Sequence, residues 1–457
     1  ELPDYVECVA KSLTMARDRV RRKDKLAREY IVPALRLPKG LAPIVQIFLQ
    51  GVLSAESSEQ RESAARGLTL AVSSTDSAAL KAHVIAITGP LIRVVGDKHP
   101  SAVKSAILES LAALINKGGV ALKPFVPQLQ TTFVKCLSDA HMSVRVSAAS
   151  ALGLLMTLQT RVDALASDLI SQCESDDVEP GVRESTFRAI AGVFAHGGAH
   201  ISAPNVTRAI DATLRALASY SEGERTSASL ALSRAFARAP ADERASVVDA
   251  LNAPSGCEHR QGTAEALCQI SRANAALVMD EHASATLNAL VRAAADDQSA
   301  SKCAAARGLG ALAGVSAREL GASSPVLPKL LPVLTKLLRD ATIDVRFAAT
   351  RAIRVIIRSA GRSELSPFYD VFMPVLAECA VADKSGDVRK QAERAVYRVF
   401  NLQDGLEEAL EHLRSGGTAN AARGRLTDIA LRQLAALPTQ SDDEADTSVE
   451  ADLMVSK

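Results

Sequence analysis

The sequence predicts an all-α fold, a superhelical solenoid of stacked two-helix repeats, on three observations. First, a basic residue recurs near the start of a small-residue stretch, at Arg61, Lys104, Arg145, Arg183, Arg225, Arg260, Lys302, Arg346 and Arg389. Second, a hydrophobic stretch of helical length precedes each one, and no alternating strand pattern persists anywhere. Third, 47% of the 457 residues are apolar while only 3% are aromatic and none is tryptophan, so alanine and leucine must fill the core. A chain of this length exceeds what one globular core sustains. Each two-helix unit leaves a face bare, and stacking its neighbours covers it.

The elements follow in order. Residues 1–40 form a basic amino-terminal segment, in which RDRVRRKDKLAR at 17–28 carries seven basic and two acidic side chains. A solvated helix or linker is expected there, with contact to RNA or an acidic protein as the alternative. No aromatic residues interleave to stack on bases, so sequence-specific nucleic acid is not an expected partner. Residues 41–401 read as about nine HEAT/armadillo-like repeats, whose period is roughly 40 residues. The first helices, such as PFVPQLQTTFVKCL and PKLLPVLTKLL, place Pro124, Pro328 and Pro374 in or near first turns, where a missing N–H costs little.

The second helices are thin-faced. In SDAHMSVRVSAASALG (138–153), alanine loses almost no side-chain freedom in a helix, and a face of Ala148, Ala149, Leu152 and Leu155 suits a closely approaching backbone. GLGALAG at 308–314 resembles a phosphate loop only superficially. It lies in a second helix with no strand before it, so close helix packing is expected. HGGAH at 196–200 reads as a loop. Residues 402–437, with DGLEEALEHL and RGRLTDIALRQLAAL, are expected to cap the stack. Residues 438–457 hold six acids and one lysine and read as a disordered tail.

An acidic residue precedes many of the basic positions by six or seven places: Asp97, Asp139, Asp177, Asp296, Asp340 and Asp383. The expectation is architectural, each cation bonding an acid of its own or the neighbouring repeat. A ligand-binding stripe is the alternative.

Catalytic chemistry finds no constellation. Cys8, Cys136, Cys173, Cys257, Cys268, Cys303 and Cys379 are scattered without a zinc-like pair and read as small buried hydrophobes of a reducing compartment. There is no His-Glu dipeptide of the kind a di-iron HEAT hydroxylase needs. No cofactor or enzymatic activity is expected. No apolar run is expected to reach membrane-spanning length and no signal peptide is visible. The chain begins with Glu1, so a longer parent protein is expected.

Specific phrases then narrow the class. ITGPLIRVVGD (87–97) and LKPFVPQLQTTF (122–133), supported by LPKG (37–40), FLQGVL (48–53), VEPGVR (178–183) and a fainter EHRQGTAEAL (258–267), resemble the carboxyl-terminal region of a translational activator family. This is the general control non-derepressible protein one family of the general amino-acid control pathway. The resemblance implies a non-catalytic, cytoplasmic, ribosome-associated scaffold. It also implies binding of the RWD domain of the initiation-factor-two-alpha kinase, and of competing RWD-domain proteins, promoting kinase activation in amino-acid starvation or ribosome stalling. Ribosome contacts would lie mainly outside this chain. The RWD-binding part is expected within residues 41–215, around Lys81, with Arg93 and Lys98 beside it. The family's sensitive arginine falls on Lys81, which keeps the charge but loses the planar bidentate fork. A HEAT adaptor of the transport-receptor or phosphatase-scaffold type shares the period but not these phrases, and a bare structural spacer is the remaining alternative.

Overall fold

The computed structural model describes residues 2–23, 30–96, 99–175, 177–253, 257–320, 326–360 and 365–401, and all of them fold as helices, short 3-10 turns and connections. Residues 24–29 of the basic segment, the expected cap at 402–437 and the acidic tail at 438–457 lie outside the described residues. Two units divide the chain, Glu1–Ala212 and Thr213–Lys457. The first holds α1 (Leu2–Lys23), α2 (Pro38–Ser54), α3 (Ser58–Ser73), α4 (Ser77–Lys81), α5 (Val84–Val95), α6 (Ser101–Gly118), α7 (Val126–Cys136), α8 (Met142–Leu155), α9 (Asp163–Glu174), α10 (Pro180–Gly197) and the start of α11 (Ala203–Ala216). The second continues with α12 (Glu222–Phe236), α13 (Ala241–Asn252), α14 (Cys257–Ala273), α15 (Ala275–Glu281), α16 (Ala283–Ala294), α17 (Ser299–Leu320), α18 (Leu327–Leu337), α19 (Ile343–Ser359), α20 (Tyr369–Ala382) and α21 (Gly386–Asn401).

Within each unit the second helices stack into one layer and the first helices into the other. In the first unit α3, α6, α8 and α10 lie side by side, as do α2, α5 and α7. In the second unit α12, α14, α17, α19 and α21 form one layer, against α13, α16, α18 and α20. Helix α1 covers the outer side of α2 and α3, burying Val6 and Leu13.

Local sequence explains the helix ends. Ser57 accepts from the Gln60 N–H at 3.2 Å while the Gln60 side chain accepts from the Ser57 N–H at 3.4 Å, a capping box that starts α3. Asp76 caps α4 through the Ala78 N–H at 2.8 Å, and Ser221 caps α12 through the Glu224 N–H at 3.3 Å. Gly119 ends α6 at φ +51°, a conformation that a Cβ penalises. The first helices carry interior prolines, Pro43, Pro90, Pro332 and Pro374. Each removes one N–H bond to the carbonyl four residues back. Pro328 opens α18 as expected and Pro124 lies in the 3-10 turn before α7, but Pro374 sits inside α20 and not in its first turn.

The small-residue faces do what their thinness suggested. A Cβ on Gly153 would stand 2.8 Å from the Gly192 Cα, so the α8 and α10 backbones touch. In GLGALAG, a Cβ on Gly310 would lie 2.8 Å from the Ala352 Cα. Gly67 leaves room for the buried Phe48 ring. Hydroxyls add ties between neighbouring second helices, Thr69 to Ser110 and Ser105 to Ser147, both at 2.8 Å. HGGAH is more ordered than a loop: His196 and Gly197 finish α10, and Gly198–His200 form a 3-10 turn.

One expectation needs correcting. The stretch Ser101–Cys136 is long and apolar enough by composition to cross a membrane, with half of its most apolar window buried inside the protein. It comprises α6, the 3-10 turn Gly119–Phe125 and α7, and it supplies core residues such as Leu108, Leu122 and Phe133.

Candidate functional site

The basic ladder resolves into two uses of charge. Four turn aspartates hold their own turns with one carboxylate oxygen: Asp139 accepts from the His141 N–H at 3.0 Å, Asp296 from Gln298 at 3.1 Å, Asp340 from Thr342 at 2.9 Å and Asp383 from Ser385 at 2.8 Å. The cation of the preceding repeat takes the same carboxylate. Lys104 reaches Asp139 at 3.0 Å and Lys302 reaches Asp340 at 2.8 Å, while Arg260 lies 3.4 Å from Asp296. Arg346 grips Asp383 with both sides of its fork, at 2.6 and 3.0 Å. Burial pushes the Asp139 carboxyl up, but the His141 N–H and the Lys104 ammonium outweigh it and hold it below the usual carboxylate range. Asp340 behaves likewise, through Lys302 and Thr342.

Arginine rungs also clamp the carbonyls that end their own first helix. Arg346 donates to the Asp340 and Ala341 oxygens, both at 2.9 Å. Arg389 donates to the Asp383 oxygen, Arg61 to Val52 and Leu53, both at 3.0 Å, and Arg183 to Ser175 at 3.4 Å. The arginine fork spreads its five N–H donors in a plane, so one side chain takes turn carbonyls and a forward partner together, whereas lysine gathers its three donors at one point.

The acid partner is not universal, which corrects the expectation for part of the ladder. Arg145 reaches forward to the Ser185 hydroxyl at 3.0 Å and back to the Asp139 and Ala140 carbonyls at 2.9 and 3.0 Å. Arg225 reaches forward to the Gln261 side-chain oxygen at 3.0 Å. Asp177 makes no ion pair with a described residue, and Asp97 lies outside them. Arg145→Ala therefore strands neutral groups, not a carboxylate. Its expected cost is about 1–2 kcal/mol, in the range of hydrogen bonds to a charged donor, read as a lower urea midpoint.

Other ties between repeats carried no recurrent signature and escaped the sequence. Asp163 accepts from the Ser202 N–H, the Ser202 hydroxyl and the Asn205 amide at 2.8–2.9 Å, and these hold its carboxyl low. Arg244 forms a fork on Glu281 at 2.8 and 2.5 Å. Only their spacing near 40 residues could have paired them. The cysteines are mostly packing groups, since burial pushes the Cys268 thiol up to about 12 and Cys379 to about 11. Cys8, however, is exposed, Cys303 is half-buried, and nothing is described of the Cys257 side chain. Among the described residues no group of three His, Cys, Asp or Glu could hold a metal ion.

The surface around Lys81 differs from the ladder. Lys81 ends the short helix α4 and is exposed. Leu80 and Val84 are buried while Ile85 is 69% exposed; Ile87, Leu91, Val94 and Val95 complete the inward face. Arg93 is exposed one helical row along from Ile85, with Ala86 and Gly89 between. Among the described residues neither Lys81 nor Arg93 has an ion pair, and α5 contains no acidic residue. Lys98 lies outside the described residues.

Fold and ladder together define a HEAT-repeat protein. Solved structures of similar shape include importin beta (TM-score 0.54, 14% identity, 88% of this chain and 52% of that one) and the Kap95:Nup1 complex (TM-score 0.55, 15% identity, 92% and 52%). At such identities the likeness concerns the fold alone. Residues 163–449 match the family model described as stalled ribosome sensor GCN1-like, HEAT repeats. Relatives include Protein ILITYHIA of Arabidopsis thaliana, 36% identical over 447 residues and 97% of this chain, and the human stalled ribosome sensor GCN1, 31% identical over 420 residues and 90% of it. The eIF-2-alpha kinase activator GCN1 of Dictyostelium discoideum is 47% identical over 163 residues, 36% of this chain and 6% of its own length. The chain belongs to the GCN1-like HEAT-repeat family. It covers only 16% of the Arabidopsis relative and 15% of the human one.

Proposed function

We propose that this chain is a non-catalytic scaffold segment of a cytoplasmic, ribosome-associated protein, and that it receives the RWD domain of the initiation-factor-two-alpha kinase. The observation that carries this reading is the exposed surface of α4 and α5, where Lys81 and Arg93, without an ion pair among the described residues, flank exposed Ile85. The ladder cations Lys104, Lys302 and Arg346 are spent on holding repeats together, whereas Lys81 and Arg93 have no ion pair among the described residues. The relatives named stalled ribosome sensor and eIF-2-alpha kinase activator support the same reading, in which the ribosome is met mainly by parts of the parent protein outside this chain. Competing RWD-domain proteins would occupy the same surface.

Lys81→Glu tests the reading. The side chain is exposed, so stability should stay within about 0.5 kcal/mol of wild type. At the interface the reversed charge meets the partner's carboxylate, and like-charge contact costs several kcal/mol. Calorimetric titration of the RWD domain should therefore show at least roughly a tenfold loss of affinity, 1.4 kcal/mol, with Lys81→Arg binding as well as or better than wild type. Wild-type affinity in folded Lys81→Glu protein would remove this surface from the site.

A further inference from the structure

The inward side of α5 explains its buried residues, but no described residue packs where a Gly89 side chain would be. Glycine inside a helix is disfavoured by its backbone freedom, and comparable glycines here have a packing reason: Gly67 under Phe48, Gly153 against Gly192, Gly310 against Ala352 and Gly262 against the Leu217 carbonyl. Around the place a Cβ on Gly89 would occupy, nothing lies within 4 Å. Its φ is not in the left-handed region. Pro90 follows, and a proline disfavours helical backbone in a predecessor that bears a Cβ. Yet Ala42, Leu331 and Met373 precede Pro43, Pro332 and Pro374 inside helices without being glycine.

Ile85, Gly89 and Arg93 form one row at four-residue spacing, the ridge that a crossing helix packs against. Gly89 is a notch in that ridge, bordered by exposed apolar carbon on one side and, on the other, a cation with no ion pair among the described residues. Lys81, just before α5, supplies a second cation.

We infer that Gly89 seats an apolar side chain projected by an acidic helix of the docked partner, with carboxylates on that helix facing Lys81 and Arg93. This rests on the proposed RWD contact and specifies its chemistry. Close backbone approach explains the bare position, and the two cations with no acid on α5 explain the partner's charge.

The test is titration of the isolated RWD domain into the full chain carrying Gly89→Ala, Gly89→Leu or, as a control on the other helix layer, Ser150→Leu. Gly89→Ala adds a methyl group in open space and restores helix propensity, so its melting temperature should equal or exceed wild type while binding weakens about tenfold. Gly89→Leu should weaken binding about a hundredfold and Ser150→Leu not at all. Undiminished binding by both Gly89 variants overturns the inference and leaves the proposed function standing. Failure of wild type to bind the RWD domain overturns both.

Discussion

Arg346→Ala should be among the most damaging single substitutions in the second unit. Arg346 is buried, and it joins the forward fork on Asp383 to the two carbonyl bonds that close its own turn. Removing it leaves the Asp383 carboxylate, only 4% exposed, without its cation. Breaking a buried pair from one side costs about 3–5 kcal/mol, because the remaining charge is uncompensated. Chemical denaturation monitored by circular dichroism should show that loss, against about 1–2 kcal/mol for Arg145→Ala, whose partners are neutral. Equal effects at the two rungs would contradict the distinction between carboxylate and hydroxyl partners.

The same pair sets a pH signature. The Arg346 hydrogen bonds, working against burial, hold the Asp383 carboxyl below its usual range. A carboxyl depressed in the folded state contributes stability above its unfolded pKa, near ~3.9, and loses it as pH falls through the folded value. Wild-type stability should therefore fall more steeply than that of Arg346→Ala on acidification from about pH 5. Parallel acid limbs would show that the pair does not contribute.

Gly153→Val should cost the first unit at least as much. The added Cβ would stand 2.8 Å from the Gly192 Cα, and a backbone cannot step aside as a side chain does. Overpacking ordinarily costs about 1–3 kcal/mol; here α8 and α10 must separate, so a loss of about 3 kcal/mol or more is expected. Gly153→Ala should be milder but still destabilising, despite the roughly 1 kcal/mol that alanine gains over glycine in helix propensity. A stabilised Gly153→Ala protein would mean that the two backbones are not in contact.

The repeat period, the all-helical class and the family were legible in the residues. Helical periodicity and the recurring Asp-to-Arg spacing are local properties, set by which side chains fall on one face and by the turn an aspartate closes. The thin face of Ala148, Ala149 and Leu152 already pointed to close backbone approach, and the phrases around ITGPLIR already pointed to the family. The partners of the ladder were less legible. Position alone made Arg145 and Arg346 equivalent, yet one meets Ser185 and the other Asp383, because the acceptor belongs to the next repeat and its side chain is chosen independently.

The surface was decided only by tertiary packing. Ile85 has the chemistry of a core residue, yet it is exposed. The helix breaks between Lys81 and Val84, and α5 buries Val84, Ile87 and Leu91, which turns Ile85 outward beside Gly89 and Arg93. Hydrophobicity alone does not say which side of a two-layer stack a residue faces. The amino-acid sequence by itself determined the repeat, its charges and its kinship. Only the folded stack decided which of those charges are consumed between repeats and which stay exposed, because burial and pairing depend on residues about 40 positions away.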